Sequence, residues 1–275
     1  MNRAPKDSLE VQCINAAKSI AREYEHACPP YDVQPLLDHF NISEIRERPI
    51  DRDARLVFQD GRLAIEVNPL FPANRRRLSL AHELGHLLIN HCSGDAAVCA
   101  DHGDSASEAL CNRLAGELLA PESAVIRYFE DNPTLATWQD SVRCSSLVSA
   151  AAAFGISVDA MACRVFHDLK LARSKVALVW RYCRNSDRSD SECDLRLSSL
   201  WHCIESLRFI PRNKTAPTAS VIRRAFQENG VVVSEEYLCI GSLKGNFLIE
   251  AVGIGNQFEH NRGQAPRGVL AVVSL

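Results

Sequence analysis

Residues 78–88 contain the pattern His-Glu-x-x-His, formed by His82, Glu83 and His86. Residues four apart on an α-helix lie on one face, so both imidazoles can bind the same metal ion. Glu83 follows the first histidine directly and can accept a proton from a water molecule beside that ion. The spacing therefore predicts a hydrolytic metal centre on a helix, with Zn²⁺ as the cofactor and Glu83 as the general base.

The flanking residues favour this interpretation over a chance occurrence of the motif. Leu80 and Ala81 precede the motif and Leu87 and Leu88 follow it, so the helix is expected to be buried except on its ligand face. Polar side chains on a core helix cost free energy unless they are bonded. The alternative is a pair of hydrogen-bonded buried histidines beside a paired glutamate.

Catalytic zinc needs a third protein ligand and leaves its fourth position to water. A ligand on a helix is fixed better than one in a loop, which favours Glu108 or Glu117. These two are 9 residues apart and lie on opposite faces of the predicted helix, so only one can face the metal. From spacing alone, Glu108 is equally well an acid that stabilises a helix N-terminus. The downstream candidates are His91, Cys92, Asp95, Cys99, Asp101, His102, Asp104, Glu108 and Glu117.

A second metal site is the alternative use of some of these residues. His91, Cys92, Cys99 and His102 are ligand types that bind zinc, but their spacing matches no common closed-site pattern. Two further roles are guesses at this level. Tyr128 or one of the nearby histidines could donate to the oxyanion of a reacting carbonyl, with ordinary packing as the alternative for Tyr128. The strand at residues 63–67 could pair with an extended substrate, with a plain structural hairpin strand as the alternative.

Apolar periodicity and turn residues predict the elements that must position these side chains. Helices are predicted over residues 8–26, 33–39, 74–90, 105–119, 123–129 and 221–227. Extended segments are predicted over residues 42–46, 54–58, 63–67, 176–182, 231–233, 247–252 and 269–273. Asp60-Gly61 between two apolar runs predicts a hairpin, and the polar residues 184–194 predict a loop.

Composition limits the class of protein. The 275 residues suffice for one large domain or two to three small ones, and the net charge of −3 gives no overall positive field for nucleic acid. The 11 cysteines include no CxxC pair, so we expect mostly reduced core residues. The chain starts without the apolar segment of a secretory signal and has no membrane-length apolar run. We therefore expect a cytoplasmic protein that does not use a membrane.

Residues 145–169 read as helix, turn, helix, with Gly155 in the turn and Ser157 as the N-cap of the second helix. The second helix includes Arg164 and is followed by Lys170, a modest positive charge for DNA binding. A helix pair that only packs on the preceding domain explains the same pattern. The segments after it predict an α+β region.

Two motifs together resemble the ImmA/IrrE family of metallopeptidases, over about residues 10–130. Its members have H-E-[LI]-G-H followed by E-x-x-x-N-x-x-A-x-x-[LI]-L-x-P. The second pattern is matched here by Glu108, Asn112, Ala115, Leu118, Leu119 and Pro121. The resemblance implies that His82, His86 and Glu108 bind zinc and that Glu83 is the general base. Ala120 departs from the methionine that often precedes the proline.

The resemblance also implies an architecture and a function. We expect an α+β protein with a zincin-like, mostly helical peptidase domain with a small antiparallel sheet at residues 1–131. A helix-turn-helix region at residues 132–173 and a GAF-like α+β domain at 174–275, with a sensory or substrate-docking role, would follow as in longer members. Known members cleave helix-turn-helix repressors, so we expect a zinc-dependent endopeptidase that cleaves such a repressor to derepress its genes. The alternative is a non-proteolytic, zinc-containing regulator that binds DNA or a protein partner, with DNA the less favoured of the two.

Overall fold

The computed structural model describes residues 6–24, 29–94, 105–131, 142–183, 194–207, 210–228, 230–255 and 268–275. The chain is α+β and divides into two compact units. The first comprises Met1–Tyr128 with Ala153–Ile156, and the second comprises Phe129–Ala152 with Ser157–Leu275. The division into three domains at residues 131 and 173 stays a prediction.

The elements of the amino-terminal half follow the predicted order with small shifts at their ends. They are α1 (Lys6–Tyr24), α2 (Gln34–His39), β1 (Ile42–Glu47), β2 (Ala54–Gln59), β3 (Arg62–Val67), α3 (Ala73–Ser93), α4 (Ser105–Leu119) and α5 (Glu122–Asp131). α3 extends beyond its predicted end at Asn90, because the chain leaves the helix only at Gly94. The φ of Gly94 is 73°, the left-handed conformation that glycine adopts without strain. Residues 25–28, at the predicted end of the first helix, lie outside the described residues.

The first sheet has the strand order β1-β3-β2. β2 and β3 form the predicted hairpin, and its turn residues Asp60 and Gly61 have φ values of 53° and 74°, as a tight two-residue turn requires. β1 pairs with β3 in parallel. The expectation of an antiparallel sheet was therefore wrong, and the sheet is mixed. The chain reverses between β1 and β2 and again between β2 and β3, so β1 and β3 run in the same direction. Because β3 lies at the centre of the sheet, these two strands pair in parallel.

The core of the first unit lies between this sheet and the helices α1, α3 and α4. Its buried side chains include Cys13, Ala17, Leu37, Ile65, Val67, Leu84, Leu88, Leu114 and Leu118. Burying one large apolar side chain stabilises a fold by about 1.5–3 kcal/mol. Because α3 and α4 share this core, their packing fixes the position of every side chain on their facing surfaces.

The carboxy-terminal half contains a second, larger sheet. Its elements are α6 (Cys144–Phe154), α7 (Val158–Ala162), β4 (Lys175–Cys183), β5 (Asp194–Trp201), α8 (Val221–Glu228), β6 (Val231–Ile240), β7 (Leu243–Ile254) and β8 (Gly268–Ser274). The strands are antiparallel in the order β5-β4-β8-β7-β6, and α8 packs on β7, β6 and β8. A GAF-like assignment of this part stays a prediction.

The structure differs from the strand predictions in this half at β5 and β6. β5 was missed, because its alternation of buried Leu195 and Leu197 with polar residues is short and follows a polar segment. β6 continues well past the predicted residues 231–233. The polar residues Glu235 and Glu236 interrupt the apolar run, so the hydropathy pattern does not predict a strand there. The pairing of β6 with β7 nevertheless continues to Ile240.

The predicted helix pair at residues 145–169 is present as α6 and α7. Gly155 lies in the turn with a φ of 65°, and Ser157 Oγ accepts a backbone hydrogen bond at 3.1 Å. α7 continues as a π-helical turn, Cys163–Asp168. Arg164 is buried and ion-paired with Asp168 at 3.7 Å, so it is not available to contact DNA. A helix-turn-helix function for this region stays a prediction.

Asp159 binds α7 to the second sheet. Its carboxylate accepts hydrogen bonds from Trp201 Nε1 at 2.7 Å, from Ser199 Oγ at 2.9 Å and from the Arg181 guanidinium at 3.3 Å. Hydrogen bonds to a charged acceptor are stronger than those between neutral groups. α7 is therefore anchored on β4 and β5 by a specific polar contact.

Among the described residues, no single helix has the length and apolar character needed to cross a membrane. Cys144–Phe154 and Val158–Asp168 reach that length and hydropathy only as a pair, and a bend of 111° separates them.

Candidate metal centre

α3 presents His82 and His86 on one face, while its other faces are largely buried. Leu80, Leu84 and Leu88 recur every four residues and face the core. The two imidazole side chains are mostly enclosed, with exposed fractions of 17% and 18%. Their ring centroids are 5.0 Å apart, so the two rings lie one helical turn apart with their edges close together.

α4 crosses α3 at a point where the two backbones nearly touch. A methyl group at Gly85 would lie 3.1 Å from both the Cα and the carbonyl oxygen of Cys111. Only glycine permits such an approach without a shift of one helix. This crossing is adjacent to His86 on α3 and one turn from Glu108 on α4. The crossing therefore brings the side chains of His86 and Glu108 close together, although they belong to separate helices.

Glu108, in the first turn of α4, faces both imidazoles. Its Oε2 lies 3.1 Å from His82 Nε2, and its Oε1 lies 3.5 Å from His86 Nε2. The structure thus brings together the three residues that the sequence analysis named as ligands. Two imidazole nitrogens and one carboxylate are a donor set that suits Zn²⁺.

Asn112 orients the ring of His82. Its Oδ1 lies 3.0 Å from His82 Nδ1, and because an amide oxygen only accepts, this assignment places the proton on Nδ1. In the neutral ring, Nε2 then points a lone pair at the Glu108 carboxylate. Two lone pairs at 3.1 Å repel each other unless a cation or a proton lies between them. The arrangement therefore fits a metal ion, with Asn112 as the acceptor that orients a ligand histidine.

Glu83 lies beside this group and contacts the first sheet. It is only 4% exposed, and its Oε2 accepts a hydrogen bond from the Leu56 amide at 3.1 Å. β2 is an outer strand, so its unpaired edge can supply this donor. The contact holds the carboxylate of the residue that directly follows His82, and its role as a general base stays a prediction.

Cys111 is a further donor that the sequence analysis did not single out. Its Sγ and one ring nitrogen from each of His82 and His86 all lie within 4.8 Å of one another. The side chain is fully buried, and burial raises the pKa of the thiol to about 12, with the charges of Glu108 and Glu83 adding to the effect. The signal in the sequence was its spacing, since Cys111 follows Glu108 by one helical turn and shares its face of α4.

The other predicted candidates have different surroundings. Glu117 is buried, and its Oε1 accepts a hydrogen bond from the Glu122 amide at 3.1 Å, at the start of α5. The Cys92 thiol forms a hydrogen bond with the thiol of the buried Cys13. Burial, followed by this hydrogen bond, raises the pKa of Cys13 to about 12. His91 is exposed. Asp95, Cys99, Asp101, His102 and Asp104 lie outside the described residues, and so does half of the alternative second site.

Another group of metal-binding side-chain types lies on the π-helical turn of the second unit. Donor atoms of Cys163, His167 and Asp168 lie within 4.8 Å of one another. The Asp168 carboxylate is paired with the buried Arg164 at 3.7 Å and lies 3.1 Å from His167 Nδ1. Because the guanidinium already neutralises this carboxylate and would repel a cation, the group is a weaker metal site than the one on α3 and α4.

The guess that residues 63–67 receive an extended substrate was wrong. β3 is paired with β1 on one edge and with β2 on the other, so its backbone has no edge left for an added strand. Tyr128 packs edge-on against Phe154, with ring centroids 5.8 Å apart, and burial raises the pKa of its hydroxyl. A contact of Tyr128 with an oxyanion stays a prediction.

Comparison with known proteins adds a family and a fold. Residues 40–166 match the profile of a peptidase family described as the IrrE N-terminal-like domain. A solved structure described as a Mycobacterium tuberculosis transcriptional regulator aligns with a TM-score of 0.58 over 95% of this chain and 75% of that chain, at 14% identity. At that identity the likeness shows a shared fold. No curated protein sequence matches.

Proposed function

Residues 40–166 form a domain of the IrrE N-terminal-like family, and from this premise we propose that the chain is a zinc-dependent endopeptidase that cleaves a helix-turn-helix transcriptional repressor. The observation that carries the proposal is the Glu108 carboxylate, 3.1 Å from His82 Nε2 and 3.5 Å from His86 Nε2. The buried Glu83 beside this group supports a catalytic role.

His82, His86 and Glu108 are the residues that would bind the ion. Zinc in this position would supply a Lewis acid that polarises a peptide carbonyl and makes water reactive at neutral pH. Three protein ligands leave one of four tetrahedral positions open for chemistry. Asn112 would keep Nε2 of His82 directed at the ion through its hydrogen bond to Nδ1.

Glu83 is the residue that would move protons. Its carboxylate accepts the proton of the attacking water and returns it to the leaving amine. Burial shields the carboxylate from bulk solvent, and the 3.1 Å hydrogen bond from the Leu56 amide limits its rotation. A purely structural metal site would not need a carboxylate in this place.

The substrate class follows from the family resemblance rather than from a groove in the structure. Known members of the ImmA/IrrE family cleave helix-turn-helix repressors, and one solved structure of similar fold is described as a transcriptional regulator. Proteolysis of a repressor would link a hydrolase of this kind to gene regulation.

The test is cleavage of a purified helix-turn-helix repressor from the organism that encodes this chain, with any repressor encoded by a neighbouring gene tried first. Incubation of the full zinc-loaded chain with that repressor should give a single cut, read by gel electrophoresis and mass spectrometry. Glu83→Gln should lower the cleavage rate by about 10²–10⁴-fold, because it removes the proton acceptor while it keeps the shape of the side chain. Glu122→Gln, a change at a surface ion pair with Lys18, is the matched control and should cleave normally. A repressor that stays intact with the wild-type chain, or a cut that Glu83→Gln leaves unchanged, would contradict the proposal.

A non-proteolytic regulator is the second candidate, and Cys111 is the observation that favours it. Its Sγ groups with ring nitrogens of His82 and His86, and together with Glu108 these would make the four protein donors that close a structural zinc centre. In that case Glu83→Gln would leave regulation in cells unchanged, whereas loss of His82 would abolish it. The buried, hydrogen-bonded Glu83 makes the peptidase the better supported function.

A further inference from the structure

Cys111 lies over Gly85, between the two histidines of α3. Gly85 has no side chain, and a methyl group there would lie 3.3 Å from Cβ of Cys111. The backbone and Cβ of Cys111 therefore occupy the space that a side chain at position 85 would need. From this place its Sγ lies within 4.8 Å of a ring nitrogen of His82 and of His86.

We propose that Cys111 is a fourth protein ligand of the metal ion at this site, and that its thiolate takes the position that water needs for catalysis. The inference rests on the proposed function, since it concerns the same ion that His82, His86 and Glu108 would bind. Donor atoms around tetrahedral zinc lie roughly 3.5 Å apart. Separations within 4.8 Å thus require only small rotations of the thiol and the imidazoles.

The chemistry balances without any redox step. On binding, the Cys111 thiol releases its proton to solvent, one sulfur–metal bond forms, and one water molecule leaves the ion. The two negative charges of Glu108 and the Cys111 thiolate then equal the two positive charges of the ion. A neutral, fully coordinated ion is well suited to a place where Cys111 is fully buried.

The consequence is a resting state in which Glu83 has no water to deprotonate. Cleavage then begins only after Cys111 leaves the ion, so the thiolate limits the rate of the wild-type chain. An ordinary core cysteine would have neither effect, and both can be measured.

The first measurement is absorption of the full chain loaded with Co²⁺ in place of zinc. A thiolate ligand gives a near-ultraviolet charge-transfer band, whereas the visible bands of tetrahedral cobalt need no sulfur. We expect both sets of bands in the wild type and only the visible bands in Cys111→Ala and Cys111→Ser. The serine variant preserves the packing of the site if the alanine variant is unstable. Cys163→Ala, which removes a cysteine of the second unit, is the matched control and should keep both sets.

The outcomes separate this inference from the proposed function. Visible bands without a charge-transfer band in the wild type would show a metal site that does not use Cys111, and would overturn the inference alone. If the wild type bound no cobalt, or if His82→Ala left its cobalt bands unchanged, both the inference and the proposed function would be overturned. The second measurement is repressor cleavage, where Cys111→Ala should be at least about tenfold faster than the wild type. An equal or slower rate would overturn the blocking role of the thiolate.

Discussion

Gly85 and Cys111 bring the backbones of α3 and α4 into direct contact, so that a methyl group on the first would lie 3.1 Å from Cα of the second. The contact matters because His86 neighbours Gly85 and Glu108 lies one turn before Cys111. This main-chain contact thus sets how closely the helices that carry the imidazoles and the carboxylate approach each other.

Gly85→Ala tests this relationship. The new methyl group must push α4 away from α3, which typically costs about 1–3 kcal/mol of unfolding free energy. The better helix propensity of alanine returns up to about 1 kcal/mol of this. We expect a modest loss of stability in urea and a zinc affinity at least about tenfold weaker in competition with a chelator. Gly255→Ala is the control, since no atom of the described residues lies within 4 Å of a methyl group there. Unchanged zinc affinity in Gly85→Ala would refute the link between the contact and the site.

Glu108→Ala should remove a metal ligand. Loss of a hydrogen-bond partner of a ligand typically lowers metal affinity about 10–100-fold, and loss of the ligand itself should exceed that range. The measurement is bound zinc per chain after dialysis against a chelator. Glu117→Ala is informative beside it, because Glu117 bonds the start of α5 and should affect folding without a specific loss of zinc. Full zinc content in folded Glu108→Ala would assign the third ligand elsewhere.

Asn112→Ala should weaken zinc binding by about 10–100-fold, because the His82 ring loses the acceptor that fixes its orientation. Asn112→Asp keeps an acceptor oxygen in the same place and should restore most of the affinity. This rescue separates orientation of the ring from simple loss of packing. If the aspartate variant were as weak as the alanine variant, the hydrogen bond at Nδ1 would not be the cause.

Asp159→Ala should destabilise the second unit without an effect on zinc affinity. The change leaves Trp201 Nε1, Ser199 Oγ and the Arg181 guanidinium without their shared acceptor. We expect the unfolding free energy to fall by about 2–4 kcal/mol, in line with loss of several hydrogen bonds to one charged group. Urea unfolding followed by tryptophan fluorescence measures this, with Asp51→Ala as the control at a carboxylate that is 83% exposed. An unfolding curve equal to that of the control would show that the anchor contributes little.

Local patterns in the sequence predicted the elements that form the site. α3 and α4 were predicted close to their observed bounds, and the Asp60-Gly61 hairpin and the Gly155 turn follow from residues that adopt a positive φ. The likeness to the ImmA/IrrE family, drawn from the two motifs, is confirmed by the family match over residues 40–166. The approach of Glu108 to both histidines was expected from that resemblance, not from spacing.

The features that the sequence did not predict depend on tertiary contacts. The parallel pairing of β1 with β3 is decided by which strand takes the centre of the sheet, and no local pattern encodes that choice. The sequence predicts an ordinary core cysteine at Cys111. Only the structure shows that Cys111 on α4 packs against Gly85 on α3. Arg164 reads as a surface charge from the sequence, but the structure buries it beside Asp168, with which it forms an ion pair.

The shared core of α3 and α4 has a consequence for how activity would depend on metal supply. Leu84 and Leu88 on one helix meet Leu114 and Leu118 on the other in a core that needs no ion. A chain from which a chelator has removed the metal should therefore stay folded and able to bind zinc again, in contrast to small domains that unfold when zinc leaves. Metal-free chains would then take up zinc without refolding, so the zinc supply would set the fraction of chains that carry the metal.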